Sequence, residues 1–279
     1  MRADGKKLKN LHPMYQAEAL FMKHRWDSMN MITIDIPVEP LHEYVNKKRK
    51  TDNPTNHLAI IIAAYVRTLA KYPELNRFVV NKKFYARNEI TVGMVVLNKN
   101  TGEGDMNKMY FEPTDTLDIV TAKINKYIEE NRGDETTNDT EKALKILTKI
   151  PGLFSAGVSL AKFADKHGLL PKAVINASPF HASLLITNLS SIRTNHIYHH
   201  VYEFGTTGIG MAMGNKRYIT EKKGGEFVHT QTMPIGVVMD ERIASGAFFA
   251  IAFREFQKYC KNPEILETPP QEVKKDPNL

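Results

Sequence analysis

The segment Met233-Pro-Ile-Gly-Val-Val-Met-Asp-Glu-Arg-Ile-Ala-Ser-Gly-Ala-Phe-Phe249 decides the fold of this chain. Apolar residues alternate with small or polar ones along residues 235–240, which predicts a strand buried mainly on one face. A charged run at residues 240–242 ends the strand, and Ser245 before an apolar stretch is typical of a helix N-cap. Strand ends that lead into helix N-termini are where α/β proteins place binding and catalytic groups, because backbone N–H groups converge there.

Composition narrows the class of protein. The chain has 279 residues, of which 42% are hydrophobic and 25% charged, with a net charge of +7 and a single cysteine, Cys260. These values are ordinary for a globular domain, and one cysteine cannot form an internal disulfide. No apolar run reaches the length of a membrane span, and Lys47–Lys50 is the only dense basic run. We therefore expect a cytoplasmic protein without a membrane span or a nucleic-acid partner.

The rest of the chain alternates predicted strands and helices. An apolar helix that ends at Tyr72-Pro-Glu-Leu-Asn76 is predicted to be buried, because it is apolar on nearly every side. The Gly-rich run 204–214 is interpreted as a strand with close backbone approaches, since no Lys-Ser/Thr pair follows it as in a phosphate loop. The other predicted elements are strands in 31–38, 78–98, 109–112 and 180–190 and helices in 41–50, 56–76 and 115–132.

The segment 133–180 is interpreted as an insertion-like helical segment within one domain, residues 1–268. Helices are expected at 141–150 and 153–167, and the second has a wide apolar face. We favour packing of that face against the domain or a neighbouring subunit; a membrane-surface or partner-binding helix is the alternative. The charged, proline-bearing tail 269–279 is predicted to be disordered.

The opening segment resembles the terminal signature of the chloramphenicol acetyltransferase and dihydrolipoyl acyltransferase superfamily. The signature is a strand, His-x-x-x-Asp-Gly and a helix. The shared residues are Met233, Pro234, Asp240, Arg242, Gly246 and Ala247. The turn Tyr72–Asn76 is a second match, and the resemblance covers most of residues 15–130 and 180–265. It implies a chloramphenicol acetyltransferase-like two-layer α/β sandwich with a mixed sheet and helices on one side.

The resemblance also implies function and assembly. In this superfamily coenzyme A, as acyl-CoA, is the cosubstrate, and the active site lies between the subunits of a trimer. We therefore expect a homotrimer that handles a small-molecule acyl donor and acceptor. We also expect a stand-alone chain without a lipoyl domain.

The two chemical residues of the signature differ here. Glu241 stands where the family has its catalytic histidine, and Ser245 stands where it has aspartate. Thr187, in the strand 180–190, occupies the position of the hydroxyl residue that stabilises the family's oxyanion. The alternatives are a salt bridge from Glu241 to Arg242 or a lysine, a plain N-cap at Ser245, and a hydroxyl of Thr187 bonded to the backbone.

Glutamate is a weaker base than histidine for a thiol. A thiol pKa of about 8.5 exceeds that of an ordinary histidine by about 2 units and that of an ordinary glutamate by about 4. The difference corresponds to about two orders of magnitude in rate. A relocated base is a further possibility, at His181, His196, His199 or His200, but these histidines lack the carboxylate or cysteine spacing of a metal site, so no metal is predicted.

Two hypotheses for function follow, and the sequence leaves open whether the chain is an enzyme. The first is a coenzyme A-dependent acyltransferase of the 2-oxo acid dehydrogenase type, with Thr187 as oxyanion donor and Glu241 in the place of the base. The second is a non-catalytic acyl-CoA-binding or scaffold protein of the same fold. A relative of the condensation domains of peptide synthetases is a weaker third, because no Asp-Gly follows the pair His199-His200.

Overall fold

The computed structural model describes residues 2–97, 104–132 and 152–279. In these ranges the helices are α1 Pro13–Phe21, α2 Val38–Lys48, α3 His57–Lys71, α4 Leu117–Arg132, α5 Leu153–His167, α6 Lys172–Ala177 and α7 Gly246–Lys261. The strands are β1 Gly5–Lys7, β2 Met29–Pro37, β3 Arg77–Val80, β4 Lys83–Arg87, β5 Ile90–Leu97, β6 Gly104–Phe111, β7 Leu184–Asn188, β8 Ile209–Met213, β9 Arg217–Lys223 and β10 Glu226–Asp240.

The main sheet has seven strands of mixed direction. Its order is β2-β10-β8-β7-β5-β6, and β9 pairs with the first half of β10. Strand β7 runs parallel to both β5 and β8, whereas the other neighbours are antiparallel. A separate three-stranded sheet has the order β1-β4-β3.

Helices cover one face of the main sheet. Along β10, Ile235, Val237 and Met239 belong to the same hydrophobic core as α3 and α7. Every residue from Leu58 to Ala70 of α3 is buried, as its apolar sequence predicts. The predicted strand, turn and helix of residues 233–249 are present as the end of β10, a short 3-10 turn and α7. The predicted α/β class, mixed sheet and one-sided helical layer are confirmed.

Glycines line part of the opposite face of the sheet. A Cβ atom at Gly236 of β10 would lie 2.1 Å from the carbonyl oxygen of Ile197, and one at Gly214 would lie 2.2 Å from the backbone nitrogen of His196. The segment 194–201 therefore lies directly on this face, where only glycine leaves room for it. The close backbone approaches predicted for the Gly-rich run 204–214 are confirmed in β8 and at its ends.

The predicted disorder of residues 269–279 is wrong. The carboxylate of Asp276 accepts hydrogen bonds from Arg77 Nε at 2.6 Å and Nη2 at 2.8 Å, and both side chains are buried. The backbone N–H of Lys274 donates to the carbonyl of Ala70 at 2.8 Å. The tail is ordered because Asp276 is the counter-ion of the buried Arg77 guanidinium. The two residues are 199 positions apart in the sequence, so local composition cannot predict their pairing.

The segment 133–180 is only partly described. The predicted helix 141–150 lies outside the described residues, while α5 and α6 form the rest. On α5, Leu160 and Phe163 are 68% and 57% exposed, so the described residues leave that part of its apolar face uncovered. Among the described helices, none is both long and apolar enough to cross a membrane.

Candidate functional site

The end of β10 is fixed by a buried cluster around Asp240. Its carboxylate accepts hydrogen bonds from Arg242 Nε at 2.8 Å, from Arg242 Nη2 at 2.7 Å and from Ser28 Oγ at 3.0 Å. Asp240 Oδ2 also lies 3.7 Å from Nε of the buried Arg25. Two buried guanidinium groups thus share one carboxylate, which holds the following turn in place.

Glu241 begins that turn, the 3-10 helix Glu241–Ile243, and its side chain is half-buried. Its backbone N–H donates to the carbonyl of Ser28 at 2.8 Å. The alternative of a Glu241–Arg242 salt bridge is wrong, because Asp240 engages the guanidinium; no other described cation forms an ion pair with Glu241. Burial, and then the nearby charge of Glu241, raise the pKa of Glu18 on α1. Within the described ranges, the carboxylate of Glu241 therefore has no ion pair, and it lies near a second acid.

Ser245 acts as the N-cap of α7. Its Oγ accepts a hydrogen bond from the backbone N–H of Phe248 at 3.3 Å, and the side chain is exposed. The N-cap interpretation from the sequence is confirmed. Its hydroxyl oxygen therefore satisfies one backbone N–H at the start of the helix.

Thr187 lies on the sheet face opposite the helices. It forms one row across the sheet with Ala212 of β8, Gly236 of β10 and Thr33 of β2, each paired with the next. The threonine is half-buried, and its hydroxyl forms no hydrogen bond with any described residue. The alternative of a hydroxyl bonded to the backbone is thus not seen. Its neighbours Ala212 and Gly236 are covered by the chain itself, because Ala212 is fully buried and the carbonyl of Ile197 lies against Gly236.

A single chain does not bring Thr187 and Glu241 together. Thr187 is level with Gly236, which precedes Glu241 by five residues. At about 3.3 Å per residue the two levels are about 16 Å apart along the strand, and β8 also lies between β7 and β10. The three predicted site residues therefore form two groups: Glu241 with Ser245, and Thr187 alone.

The histidines are placed by local contacts. His196 Nε2 lies 3.1 Å from Thr33 Oγ1, on the far side of β8 and β10 from Thr187. His199 and His200 stack on each other at 5.0 Å. Among the described residues, no group of three His, Cys, Asp or Glu side chains could hold a metal ion.

His181 belongs to a buried polar network. Its Nδ1 lies 2.8 Å from Ser178 Oγ, and its Nε2 lies 3.2 Å from Asp165 Oδ1. Arg2 Nη2 donates to the same Asp165 oxygen at 2.6 Å. Burial lowers the pKa of His181, although Asp165 acts in the opposite direction. The side chain is 1% exposed, so a substrate cannot reach it directly.

Sequence reasoning missed the two buried clusters that organise this end of the molecule. One is Asp240 with Ser28, Arg25 and Arg242; the other is Asp165 with Arg2 and His181. Ser28 and Asp240, for example, are 212 residues apart, and no local motif joins the members of either cluster. The only local signal was the spacing of Asp240 and Arg242, which the family signature shares.

Comparisons with known proteins give the fold. Neither a protein-family model nor a curated protein sequence matches the chain. Among solved structures, a probable dihydrolipoamide acetyltransferase from Listeria monocytogenes superimposes with a TM-score of 0.57 and 11% identity, over 92% of this chain and 95% of that one. A dihydrolipoamide acetyltransferase from Azotobacter vinelandii gives 0.58 and 10%, over 92% of each chain.

A chloramphenicol acetyltransferase is similar to the same extent, with a TM-score of 0.54 and 11% identity over 90% of this chain and 96% of that one. The mixed sheet with its helices matches the fold of these neighbours. The protein therefore has the chloramphenicol acetyltransferase-like fold that it shares with the catalytic cores of dihydrolipoamide acetyltransferases.

Proposed function

We propose that this protein transfers an acyl group from coenzyme A to a small acceptor, at sites formed between the subunits of a homotrimer in the cytoplasm. The observation that carries the proposal is the hydroxyl of Thr187, which forms no hydrogen bond with any described residue. The threonine is half-buried and lies on the sheet face opposite the helices, level with Ala212 and Gly236. The net charge of +7 favours a phosphate-bearing donor.

The chemistry needs a hydrogen-bond donor and a proton acceptor. When an acceptor thiol attacks the thioester carbonyl, negative charge develops on the carbonyl oxygen, and Thr187 Oγ–H donates to it. The thiol proton passes to the carboxylate of Glu241 from a neighbouring subunit. When the tetrahedral intermediate collapses, the protonated carboxyl group returns this proton to the sulfur of coenzyme A, which leaves as the thiol. A second subunit is required because the two residues lie far apart within one chain.

The spacing of two residues in a structural neighbour supports Glu241 and Ser245 as site residues. The Azotobacter vinelandii structure was determined to examine a serine, a histidine and an asparagine in catalysis, and that histidine and asparagine are four residues apart. Glu241 and Ser245 have the same spacing. In this protein a carboxylate and a hydroxyl replace them, which is the reason to expect slow turnover.

Acyl exchange between acetyl-CoA and a small thiol tests the proposal. Thr187→Ala should lower kcat by about 10² to 10³, the effect of losing one oxyanion donor, whereas Thr187→Ser should keep most of the activity. Thr220→Ala, an exposed threonine on β9, is the matched control. Exchange that is unaffected by Thr187→Ala would contradict the assigned role.

A non-catalytic protein that binds acyl-CoA is the second candidate. It is favoured by Ser245, whose hydroxyl caps α7, and by the absence of a histidine at position 241. Calorimetric titration with coenzyme A separates the two candidates. Binding without any acyl exchange in the wild type would favour the second.

A further inference from the structure

A pocket of about 370 Å³ opens beside the turn that follows β10. It lies between the loop after α1, the β3–β4 turn, α5 and the residues around Glu203. Six basic side chains line it, against two carboxylates. The basic residues are Lys23, Arg25, Lys82, Lys162, Lys166 and Arg242. We call this feature the basic pocket.

The four lysines that line the pocket have no counter-ion among the described residues. Lys23, Lys82, Lys162 and Lys166 are all exposed, and none forms an ion pair with a described residue. They come from three separate parts of the chain that meet only in the folded protein. Like charges gathered in this way repel one another, and a bound anion would relieve the repulsion.

A buried cation lies below the lysines. Arg25 is 3% exposed and donates through Nη1 to the carbonyl oxygens of Tyr202, Glu203 and Gly205. Its Nε is buried and has no hydrogen-bond partner among the described residues; the nearest carboxylate oxygen, on Asp240, is 3.7 Å away. The pocket is therefore lined by a buried guanidinium as well as by exposed charge.

The two carboxylates of the pocket are already engaged. Asp165 bonds to Arg2, and although burial raises its pKa, the adjacent His181 and Arg2 lower it to about 2. Glu203 accepts a hydrogen bond from the backbone N–H of Arg25 at 2.7 Å. Neither acid forms an ion pair with any of the four lysines, so the positive charge at the mouth is uncompensated.

We propose that the basic pocket binds a small ligand that carries phosphate groups. The volume is that of a small-molecule site, and several lysines around one cavity provide the charge-assisted donors that a compact polyanion needs. The ligand is either a free organic phosphate or the phosphate-bearing part of a coenzyme. The proposal concerns binding alone and does not depend on acyl transfer.

Pyrophosphate is the probe, titrated calorimetrically into the wild-type protein at low salt. Saturable binding that weakens as salt is added is expected. The double variant Lys162→Ala/Lys166→Ala should weaken the affinity by about tenfold or more, since each lysine supplies a charge-assisted hydrogen bond. Lys222→Ala/Lys261→Ala removes the same charge from exposed lysines outside the pocket and should leave the affinity unchanged.

Two outcomes would overturn the proposal: no saturable binding at millimolar pyrophosphate, or an equal loss of affinity in both double variants. A further titration in the presence of saturating coenzyme A identifies the source of the phosphate. If coenzyme A displaces pyrophosphate and loses affinity itself in Lys162→Ala/Lys166→Ala, the pocket takes the coenzyme's phosphates. If both bind independently, the ligand is a separate phosphate.

Discussion

The carboxylate of Glu241 is positioned by its neighbours and has no ion pair of its own in the described chain. Asp240 takes the guanidinium of Arg242, and Ser28 anchors the backbone of the turn. A side chain at position 241 can therefore change without breaking a buried salt bridge. This makes position 241 suitable for testing which proton acceptor the site needs.

Replacing Glu241 by histidine should speed thiol-dependent acyl exchange. An ordinary histidine is a stronger base than an ordinary glutamate by about 2 pKa units, so the gain could approach two orders of magnitude. The double variant Glu241→His/Ser245→Asp should exceed the single variant, because aspartate can hold the histidine and still cap α7. The rates of wild type, both single variants and the double variant are compared in one exchange assay.

Glu241→Gln is the control, since it removes the proton acceptor without supplying another, and it should be slower than wild type. If the wild type is already fast and Glu241→His abolishes exchange, the glutamate is itself the effective base. In that case the view of a weakened site is wrong.

His181 should make folding stability depend on pH. Burial lowers its pKa in the folded protein, so the unfolded chain binds more protons once the pH falls below about 6.5. Stability from this group is therefore present above that pH and is lost as the pH falls further. Urea unfolding of wild type at pH 7.5 and 5.5 should show a larger drop than unfolding of His181→Gln.

A smaller drop will remain in His181→Gln, because burial and the charges of Lys216, His42 and Arg49 lower the pKa of His57 to about 4. Equal drops in the two proteins would show that His181 is not held neutral by burial.

At the scale of the elements, the strands and helices with one clear period were predictable. The alternation in β10 predicts a strand buried mainly on one face, and the uniformly apolar sequence of α3 predicts a helix buried on all sides. Strand β6 begins at Gly104, five residues before the predicted strand 109–112, because its pairing with β5 continues through polar residues. Pairings of that kind are decided by the neighbouring strand, which a local pattern does not contain.

The tail is the clearest example of an element fixed from a distance. Asp276→Ala should lower the free energy of unfolding by about 3 to 5 kcal/mol, because it leaves Arg77 as a buried charge without its partner. Glu272→Ala, at an exposed position of the same tail, should change it by less than about 0.5 kcal/mol. Urea denaturation measures both, and equal stabilities would mean that the tail is not held by this ion pair.

At the scale of the whole molecule, several large apolar side chains are left exposed by the part of the chain that the structure describes. Phe21 is 80% exposed, Trp26 66% and Leu160 68%. Exposed apolar side chains in such numbers are typical of subunit contacts. Light scattering at micromolar concentration should therefore give three times 31.7 kDa, and a monomer at every concentration would contradict the proposed trimer.

The sequence predicts the residues of the candidate site but not how they are arranged. The resemblance predicts Thr187, Glu241 and Ser245 as site residues, and the structure places them in two separate groups. No pattern along the chain encodes that separation, because it depends on the register between β7, β8 and β10. We propose that Thr187 of one subunit lies beside Glu241 and Ser245 of the next.

Mixing two inactive variants tests that claim most directly. Thr187→Ala and Glu241→Ala are each expected to have little acyl-exchange activity as pure proteins. In trimers assembled from equal amounts of both, a site that takes Glu241 from one subunit and Thr187 from the next is intact with a probability of one half times one half. Activity should recover to about a quarter of the wild-type value. Mixed trimers that remain as inactive as the separate variants would contradict a site shared between subunits.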